Sequence, residues 1–135
     1  MSRKKTRELI VRFLFQMEAR REEYSGLLEV FMDENPMETA DRQFFKENIQ
    51  GTVKNLDEID GIIRGKLKNW TLDRIPWVDL AILRNALYEI LYRDDIPVKV
   101  SINEAVDLAK KYGDPESGVF VNGILGNIVR EHKLQ

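Results

Sequence analysis

Apolar residues recur along most of the chain at the three- and four-residue spacing that places them on one face of a helix. The first stripe predicts a helix whose core-facing residues are Leu9, Ile10, Phe13, Leu14 and Met17. We predict a break at Tyr24-Ser25-Gly26. A short second helix should follow and end near Asn35-Pro36, because the residue before a proline avoids helical angles.

Two further stripes predict a third helix that begins near Thr39 and a fourth that carries apolar residues from Leu56 to Leu67. The pattern leaves open whether these two helices join. Gly51 weakens the third helix but need not break it. Neither helix shows any sign of a metal-binding or phosphate-binding motif.

The most apolar stripe predicts the central helix of the protein. A connection at residues 70–73 precedes it, Pro76 suits its first turn, and the helix is expected to end at about Arg93. So little of its surface is polar that we expect it to be packed on several sides.

Two more helices are predicted after the central one. Ser101-Ile102-Asn103-Glu104 matches a capping box, in which Ser101 would open a helix by accepting a hydrogen bond from the backbone N–H of Glu104. Gly113 is expected to end that helix in the left-handed conformation. Asp114-Pro115 then looks like the cap and first turn of the last helix, which is expected to be irregular until Ser117-Gly118. No segment has the pattern of a sheet-forming strand, so the elements predict an all-α fold, a compact bundle of about seven helices.

Composition places the chain among folded globular proteins. Hydrophobic residues make up 43% of its 135 residues and charged residues 33%, so the chain can form a core and a well-solvated surface. It contains no apolar run of about 18 residues that would span a membrane, and its basic N-terminus lacks the features of a secretory signal. The absence of cysteine excludes disulfides and agrees with a cytoplasmic location.

The charge of the chain is distributed unevenly. Residues 1–21 carry seven cations against two carboxylates, a net charge of +5, which leaves −7 for the rest of a chain whose formal charge is −2. A basic arm on an acidic body is typical of proteins that bind polyanions. Charge alone still favours the simpler interpretation, a charged helix end that is only solvated.

Catalytic chemistry finds little support in the sequence. His132 is the only histidine and lies near the C-terminus, where it is far more often a surface residue than a base or a metal ligand. No glycine-rich phosphate loop is present, and adjacent carboxylates such as Asp94-Asp95 do not generally face one reacting bond. We therefore expect no catalytic residue, no metal site and no cofactor.

Three segments in order along the chain resemble the NusB family. Residues 78–90 are similar to its central helix, residues 96–110 to the loop and helix that follow, and residues 120–125 to the start of its last helix. The basic cluster before the first apolar helix also fits, so the resemblance covers essentially the whole chain.

The resemblance implies two small helical bundles set across each other, here residues 1–69 and 70–135. It also implies a non-catalytic adapter that binds the boxA element of nascent RNA together with NusE, which is also a small-subunit ribosomal protein. In the family this complex joins the transcription elongation complex and helps RNA polymerase read through terminators when ribosomal RNA is made. Family members occur as monomers or dimers, so a homodimer is left open.

The resemblance also assigns individual residues. The first set implied to bind RNA comprises Arg3, Lys4, Lys5 and Arg7, and a second RNA-facing region comprises Glu116 and Phe120. Asp73 and Asp79 match acidic positions that face NusE, as suits a basic ribosomal protein. Val119 departs from the family, whose members often have a basic residue there, and periodicity alone favours a core position for Phe120. Arg7→Glu is accordingly expected to weaken RNA binding without unfolding the protein.

Two other functions stay open. The same fold occurs as the N-terminal domain of ribosomal RNA cytosine methyltransferases, so the chain would be a fragment of such an enzyme. That interpretation requires a cofactor-binding α/β domain and a cysteine nucleophile, and this sequence contains neither. The other possibility is an adapter that binds only proteins and whose basic helix is merely solvated.

Overall fold

The computed structural model describes residues 2–20, 24–68 and 71–134. Within these ranges the chain forms seven α-helices, one short 3₁₀ helix and no strand, which confirms the predicted all-α bundle. The α-helices are α1 (Arg3–Arg20), α2 (Tyr24–Glu34), α3 (Thr39–Lys54), α4 (Leu56–Arg64), α5 (Trp77–Tyr92), α6 (Val98–Tyr112) and α7 (Ser117–Glu131), and the 3₁₀ helix is Leu72–Arg74. No helix in the described part of the chain is long and apolar enough to cross a membrane.

Helix α5 forms the centre of the structure, as its apolar surface predicts. It contacts α1, α3, α4, α6 and α7, and its residues are buried without interruption from Asp79 to Ile90. Aromatic packing fills the space between the first three helices. The ring of Phe13 meets those of Phe31 and Phe45 edge-on, at centroid distances of 5.4 and 6.2 Å.

The break predicted at Tyr24-Ser25-Gly26 is wrong, because α2 begins at Tyr24 and includes all three residues. Residues 21–23, between α1 and α2 in the sequence, lie outside the described ranges. Gly26 lies exposed in the first turn of α2, and a Cβ there would meet no neighbouring atom within 4 Å. The end of α2 at Glu34, just before Asn35-Pro36, agrees with the prediction.

Helices α3 and α4 are separated by a single residue, Asn55. Its side-chain Nδ2 and its backbone N–H both donate to the carbonyl oxygen of Gly51, at 2.8 and 3.1 Å, and so end α3. The structure also shows why position 51 is a glycine. A Cβ at this position would overlap the ring of Tyr88 on α5, so the glycine allows the two helices to approach closely.

The predicted start of α6 is wrong. The helix begins at Val98, and Ser101 lies inside it, where its hydroxyl donates to Glu89 Oε1 at 2.8 Å instead of capping the helix. The tertiary acceptor therefore replaces the local capping arrangement that the motif suggests.

Gly113 does follow α6, but its backbone is extended, with φ −91° and ψ −169°, rather than left-handed. Glycine is needed for space, because a Cβ would lie 2.5 Å from Ser117 Oγ. The division into subdomains at residues 69 and 70 stays a prediction, since both residues lie outside the described ranges.

Candidate nucleic-acid interface

Three exposed cations occupy the first turn of α1. Arg3, Lys4 and Lys5 all lie on the surface, and the turn contains no acidic residue. Cations at a helix N-terminus oppose the helix dipole, whose positive end lies there. The arrangement therefore costs stability, and it favours binding of an anion that would meet both the side chains and the positive end of the helix.

The ring of Phe44 on α3 organises this end of the protein. The Arg3 guanidinium lies 4.0 Å from the ring centroid, and those of Arg7 and Arg93 lie at 5.3 and 5.4 Å. Such cation–π contacts hold a guanidinium in place while leaving its donors available. Arg93 was missed by the sequence interpretation, because only the folded chain brings the residue after α5 next to the start of α1.

Arg93 is also paired with carboxylates. It donates from Nε and Nη2 to Asp95, both at 3.0 Å, and from Nη1 to Glu47 at 3.3 Å. The hydrogen bonds to Asp95 are the main reason why the pKa of Arg93 is raised above its usual range. Acidic neighbours therefore offset part of the positive charge that Arg93 brings.

Lys4 and Lys5 differ in how freely they can meet a ligand. Lys4 Nζ lies 3.1 Å from Glu104 Oε2 and 3.3 Å from Asp107 Oδ2 on α6, and the hydrogen bond to Glu104 is the main cause of the raised pKa of Lys4. Lys5 has one longer contact, 3.7 Å to Glu8, and its side chain is 66% exposed. Lys5 is therefore the more accessible cation.

Arg7, the fourth cation of the predicted RNA-binding set, is not on the surface. It is 5% exposed and donates from Nε to Glu89 Oε2 at 2.9 Å and from Nη2 to Glu89 Oε1 at 3.0 Å. Asn48 and Asn85 donate to the same carboxylate, each at 3.1 Å. Direct RNA contact by Arg7 stays a prediction, and the observed geometry favours a structural role.

The second predicted RNA-facing region lies at the start of α7. Glu116 is exposed just before the helix, Phe120 is half-buried in its first turns, and Val119 between them is 81% exposed. The side chain of Lys110 lies over Gly118, since a Cβ on Gly118 would be 2.9 Å from Lys110 Cγ. Lys110 thus brings a cation close to Val119, the position at which the resemblance implies a basic residue.

Apolar side chains form an open cleft between α1, α5 and α6, which we call the partner cleft and define by Phe15, Trp77, Val78 and Tyr112. Trp77 is 44% exposed and Tyr112 48% exposed, and the rings of Phe15 and Trp77 meet edge-on at 6.0 Å. Almost half of the Trp77 side chain is therefore available to a ligand. Exposed aromatic residues of this kind are typical of protein interfaces.

The two acidic residues assigned to a partner by resemblance differ in exposure. Asp73, in the 3₁₀ helix, is exposed and accepts a hydrogen bond from Thr71, which lowers its pKa. Asp79 is only 4% exposed, although it lines the partner cleft. Its burial, and then the charges of Asp114 and Glu116, raise the pKa of Asp79.

The described residues form no candidate metal centre. They contain no group of three or more histidine, cysteine, aspartate or glutamate side chains that could hold a metal ion. His132 is an exposed residue at the end of α7. The site is therefore defined by a basic end, a half-buried phenylalanine and an apolar cleft.

The comparisons with known proteins agree on one family. The model of the NusB family matches residues 4–130. The transcription antitermination protein NusB of Acetivibrio thermocellus is 43% identical over 130 residues, which cover 96% of this chain and 90% of that protein. The protein of the same name from Agathobacter rectalis is 46% identical over 93% of this chain and 97% of its own length.

Solved structures give the same result. NusB of T. maritima has a TM-score of 0.90 and 40% sequence identity, and the match covers 97% of this chain and 92% of that one. A structure of the antitermination factors NusB and NusE in complex with double-stranded RNA matches with a TM-score of 0.87 and 28% identity, over 96% of each chain.

Proposed function

Because this chain belongs to the NusB family, we propose that it is a transcription antitermination protein that binds boxA-type RNA together with the ribosomal protein NusE. The relatives reported above carry the name of an antitermination protein rather than of an enzyme. One of the matching structures contains NusB, NusE and RNA together. We infer that this chain acts without catalysis, in the cytoplasm, as an adapter that joins RNA to the elongation complex.

The observation that carries this proposal is the placement of two different surfaces on α1. Lys5 lies in the first turn of the helix and Phe15 lies ten residues further along, which at about 1.5 Å per residue separates them by about 15 Å. A basic end and an apolar cleft at this distance allow RNA and a protein to bind side by side.

RNA binding is assigned to the exposed cations Arg3, Lys4 and Lys5 and to the start of α7, where Glu116 and Phe120 lie. Phosphates would be held by the cations. An unpaired base has a stacking partner in the part of the Phe120 ring that is not buried.

NusE is assigned to the partner cleft and to the exposed carboxylate of Asp73. The cleft supplies the apolar contact area, with Trp77 and Tyr112 as its exposed aromatic residues. Asp73 would attract a basic ribosomal protein. Burial of Asp79 favours an indirect role for this residue.

The proposal is tested by fluorescence anisotropy with a labelled boxA-type RNA and a scrambled RNA of the same length. Each RNA is titrated with this protein, with and without NusE, at two salt concentrations. We expect selective binding to the boxA-type RNA that NusE strengthens and salt weakens. Weak binding that is indifferent to RNA sequence and to NusE would contradict the proposal, and NusE binding alone would indicate an adapter for proteins only.

A charge-reversal pair locates the RNA surface. Lys5→Glu should weaken RNA binding, because it replaces a cation of the basic end whose side chain is 66% exposed. Lys54→Glu makes the same change at the exposed end of α3, about 15 Å along that helix from Phe44, and should have little effect. Equal losses in the two variants would indicate only a general effect of net charge.

A further inference from the structure

Helix α6 runs alongside the proposed RNA surface and shows the order of its parts. Near the C-terminal end of α6, Lys110 lies over Gly118 at the start of α7. Further towards the N-terminus of α6, Glu104 pairs with Lys4 of the basic end. Helix α6 itself begins just after the loop that follows α5. The C-terminal end of α5 therefore lies beyond the basic end, on the side away from the start of α7.

The ring of Phe44 joins this end of α5 to the basic end. The guanidiniums of Arg3 and Arg93 both lie against the ring, at 4.0 and 5.4 Å from its centroid, and Phe44 is only 3% exposed. Tyr92, the last residue of α5, directly precedes Arg93. An RNA strand that passes Arg3 in this direction therefore meets Arg93 and Tyr92 next.

Tyr92 presents an aromatic ring that is exposed and held in place. It is 37% exposed although it stacks on Tyr88, with ring centroids 5.8 Å apart and an angle of 26° between the rings. Tyr88 is fixed in turn by its close packing against Gly51, where a Cβ would overlap its ring. Because Tyr88 covers one face of Tyr92, the accessible part is the opposite face and the edge. A ring fixed in this way loses little conformational entropy when a ligand stacks on it.

The two surfaces of the proposed function leave Tyr92 without a role. Three aromatic side chains are exposed among the described residues, namely Trp77, Tyr92 and Tyr112, and two of them define the partner cleft. Trp77 begins α5 and Tyr92 ends it, so the two lie about 22 Å apart along the helix. Tyr92 is thus remote from the partner cleft along α5 and adjacent to the basic end.

The charges around Tyr92 favour contact with a base over contact with a phosphate. The neighbouring cation Arg93 is paired with Asp95 and Glu47, and Asp94 is exposed beside them. Acidic side chains repel phosphates, whereas any base can stack on an aromatic ring through its π-face. A shallow depression of about 470 Å³ adjoins the stacked rings and leaves room for a nucleotide; it is lined by Glu47, Gln50, Tyr88 and Arg93.

We propose that Tyr92 is an additional RNA contact: a nucleotide that flanks the boxA-type sequence stacks its base on the exposed face of Tyr92 and so adds a layer to the stack of Tyr88 and Tyr92. This inference rests on the proposed function and extends it to RNA outside the boxA-type element. The contact is made through the base, so it requires a base, tolerates different sequences and depends only weakly on salt.

The test uses fluorescence anisotropy at two salt concentrations, with NusE present, and boxA-type RNAs that carry a few extra nucleotides at one end or the other. A matched RNA with abasic nucleotides in the extension carries the same phosphates without the bases. For one of the two ends, we expect wild-type protein to bind the extension with bases about fivefold to tenfold more tightly than the abasic extension, as expected for one stacked base. This affinity ratio should change little with salt.

Variants at position 92 assign the effect to the ring. Tyr92→Ala should bring the affinity ratio to about one, because no aromatic face is left for the base. Tyr92→Phe keeps the ring and should keep the ratio, which separates stacking from a hydrogen bond to the hydroxyl group. Tyr92→Leu still covers Tyr88 without offering an aromatic ring, so it replaces Tyr92→Ala if that variant does not fold. Circular dichroism melting checks that each variant is folded.

Val30→Ala is the matched control, because it removes another exposed apolar side chain, on α2, and should keep the wild-type ratio. The inference is overturned if wild-type protein binds extensions with and without bases equally at both ends. It is also overturned if folded Tyr92→Ala or Tyr92→Leu keeps the full ratio, or if Val30→Ala loses it to the same extent. Failure of the wild-type protein to bind the unextended RNA is a different result, because it contradicts the proposed function itself.

Discussion

Arg7 and Glu89 form a buried ion pair with two parallel hydrogen bonds, of 2.9 Å from Nε to Oε2 and 3.0 Å from Nη2 to Oε1. The two residues are 82 positions apart in the sequence, and their side chains are 6% and 1% exposed. The pair fixes the first helix against the central one. Ser101 and the two asparagines Asn48 and Asn85 occupy the remaining acceptor sites of Glu89.

Removing the guanidinium of Arg7 should therefore lower the free energy of unfolding of the protein. Arg7→Ala leaves the Glu89 carboxylate buried without its counter-charge, and we expect a loss of about 3–5 kcal/mol in the free energy of unfolding. Urea denaturation followed by circular dichroism measures this loss. Lys5→Ala, two residues earlier and on the surface, is the control and should unfold as the wild-type protein does.

The buried ion pair also changes the effect expected for Arg7→Glu, the variant suggested by the sequence. Arg7→Glu would place a second carboxylate against Glu89 inside the core, so we expect unfolding rather than a selective loss of RNA binding. Wild-type stability of Arg7→Ala would contradict this interpretation and return Arg7 to the RNA surface.

The sequence predicted the fold well because helical periodicity is a local property. The spacing of apolar residues was enough to identify α5 as the central helix, and proline and asparagine marked the end of α2. Composition could not show that Arg7 is buried, because an arginine beside Lys4 and Lys5 has the pattern of a surface cation. Its partner Glu89 is adjacent only in the folded chain.

The errors at helix ends have the same origin. The capping box at Ser101 satisfies every local rule, but Glu89 offers its hydroxyl a buried charged acceptor, and the helix begins three residues earlier. Gly113 follows α6 as expected. Glycine is required there because Ser117 approaches closely, and not because the backbone is left-handed. Asp79 could be aligned with a family position from sequence, but its burial depends on packing between α5 and the start of α7.

Two helical glycines should respond to alanine in opposite directions. A Cβ on Gly51 would overlap the ring of Tyr88, which is 8% exposed and stacks on Tyr92 at 5.8 Å, so the ring has little room to move. We expect Gly51→Ala to lower the free energy of unfolding by about 1–3 kcal/mol, as overpacking does.

Gly61→Ala is the matched control on α4, where a Cβ would meet no neighbouring atom within 4 Å. There the higher helix propensity of alanine should raise stability by up to about 1 kcal/mol. Urea denaturation of both variants measures the two changes in the free energy of unfolding. Stabilisation by Gly51→Ala would show that α3 and α5 do not pack as closely as the structure indicates.

Asp79 should make stability depend on pH in a defined direction. Burial raises the pKa of its carboxyl, the hydrogen bond from Ser117 opposes this effect, and Asp114 and Glu116 raise the pKa further, so the neutral acid is more favoured in the folded protein than in the unfolded chain. A group whose pKa is raised on folding stabilises below its ordinary pKa of about 4, and this contribution is lost as the pH rises through the folded value. The wild-type protein should therefore lose stability relative to Asp79→Asn as the pH is raised from about 4 to about 7.

Urea denaturation of both proteins across this range measures the difference, and the other titrating groups cancel because the two chains share them. A difference that is constant with pH would show that Asp79 titrates at its ordinary pKa. A difference with the opposite slope would show that a donor already stabilises its charged form.

Lys4 should bind RNA more strongly once it is released from α6. Its ammonium group lies 3.1 Å from Glu104 and 3.3 Å from Asp107, so contact with a phosphate requires these interactions to be given up or shared. Glu104→Gln removes the nearer charge and should raise RNA affinity by about twofold to fivefold at low salt, the range expected for an exposed ion pair. The gain in RNA affinity should shrink as salt is added, because screening weakens the same interaction.

Glu58→Gln changes the net charge equally in the first turn of α4 and serves as the control. An equal gain in both variants would mean that overall charge, and not the release of Lys4, determines the affinity.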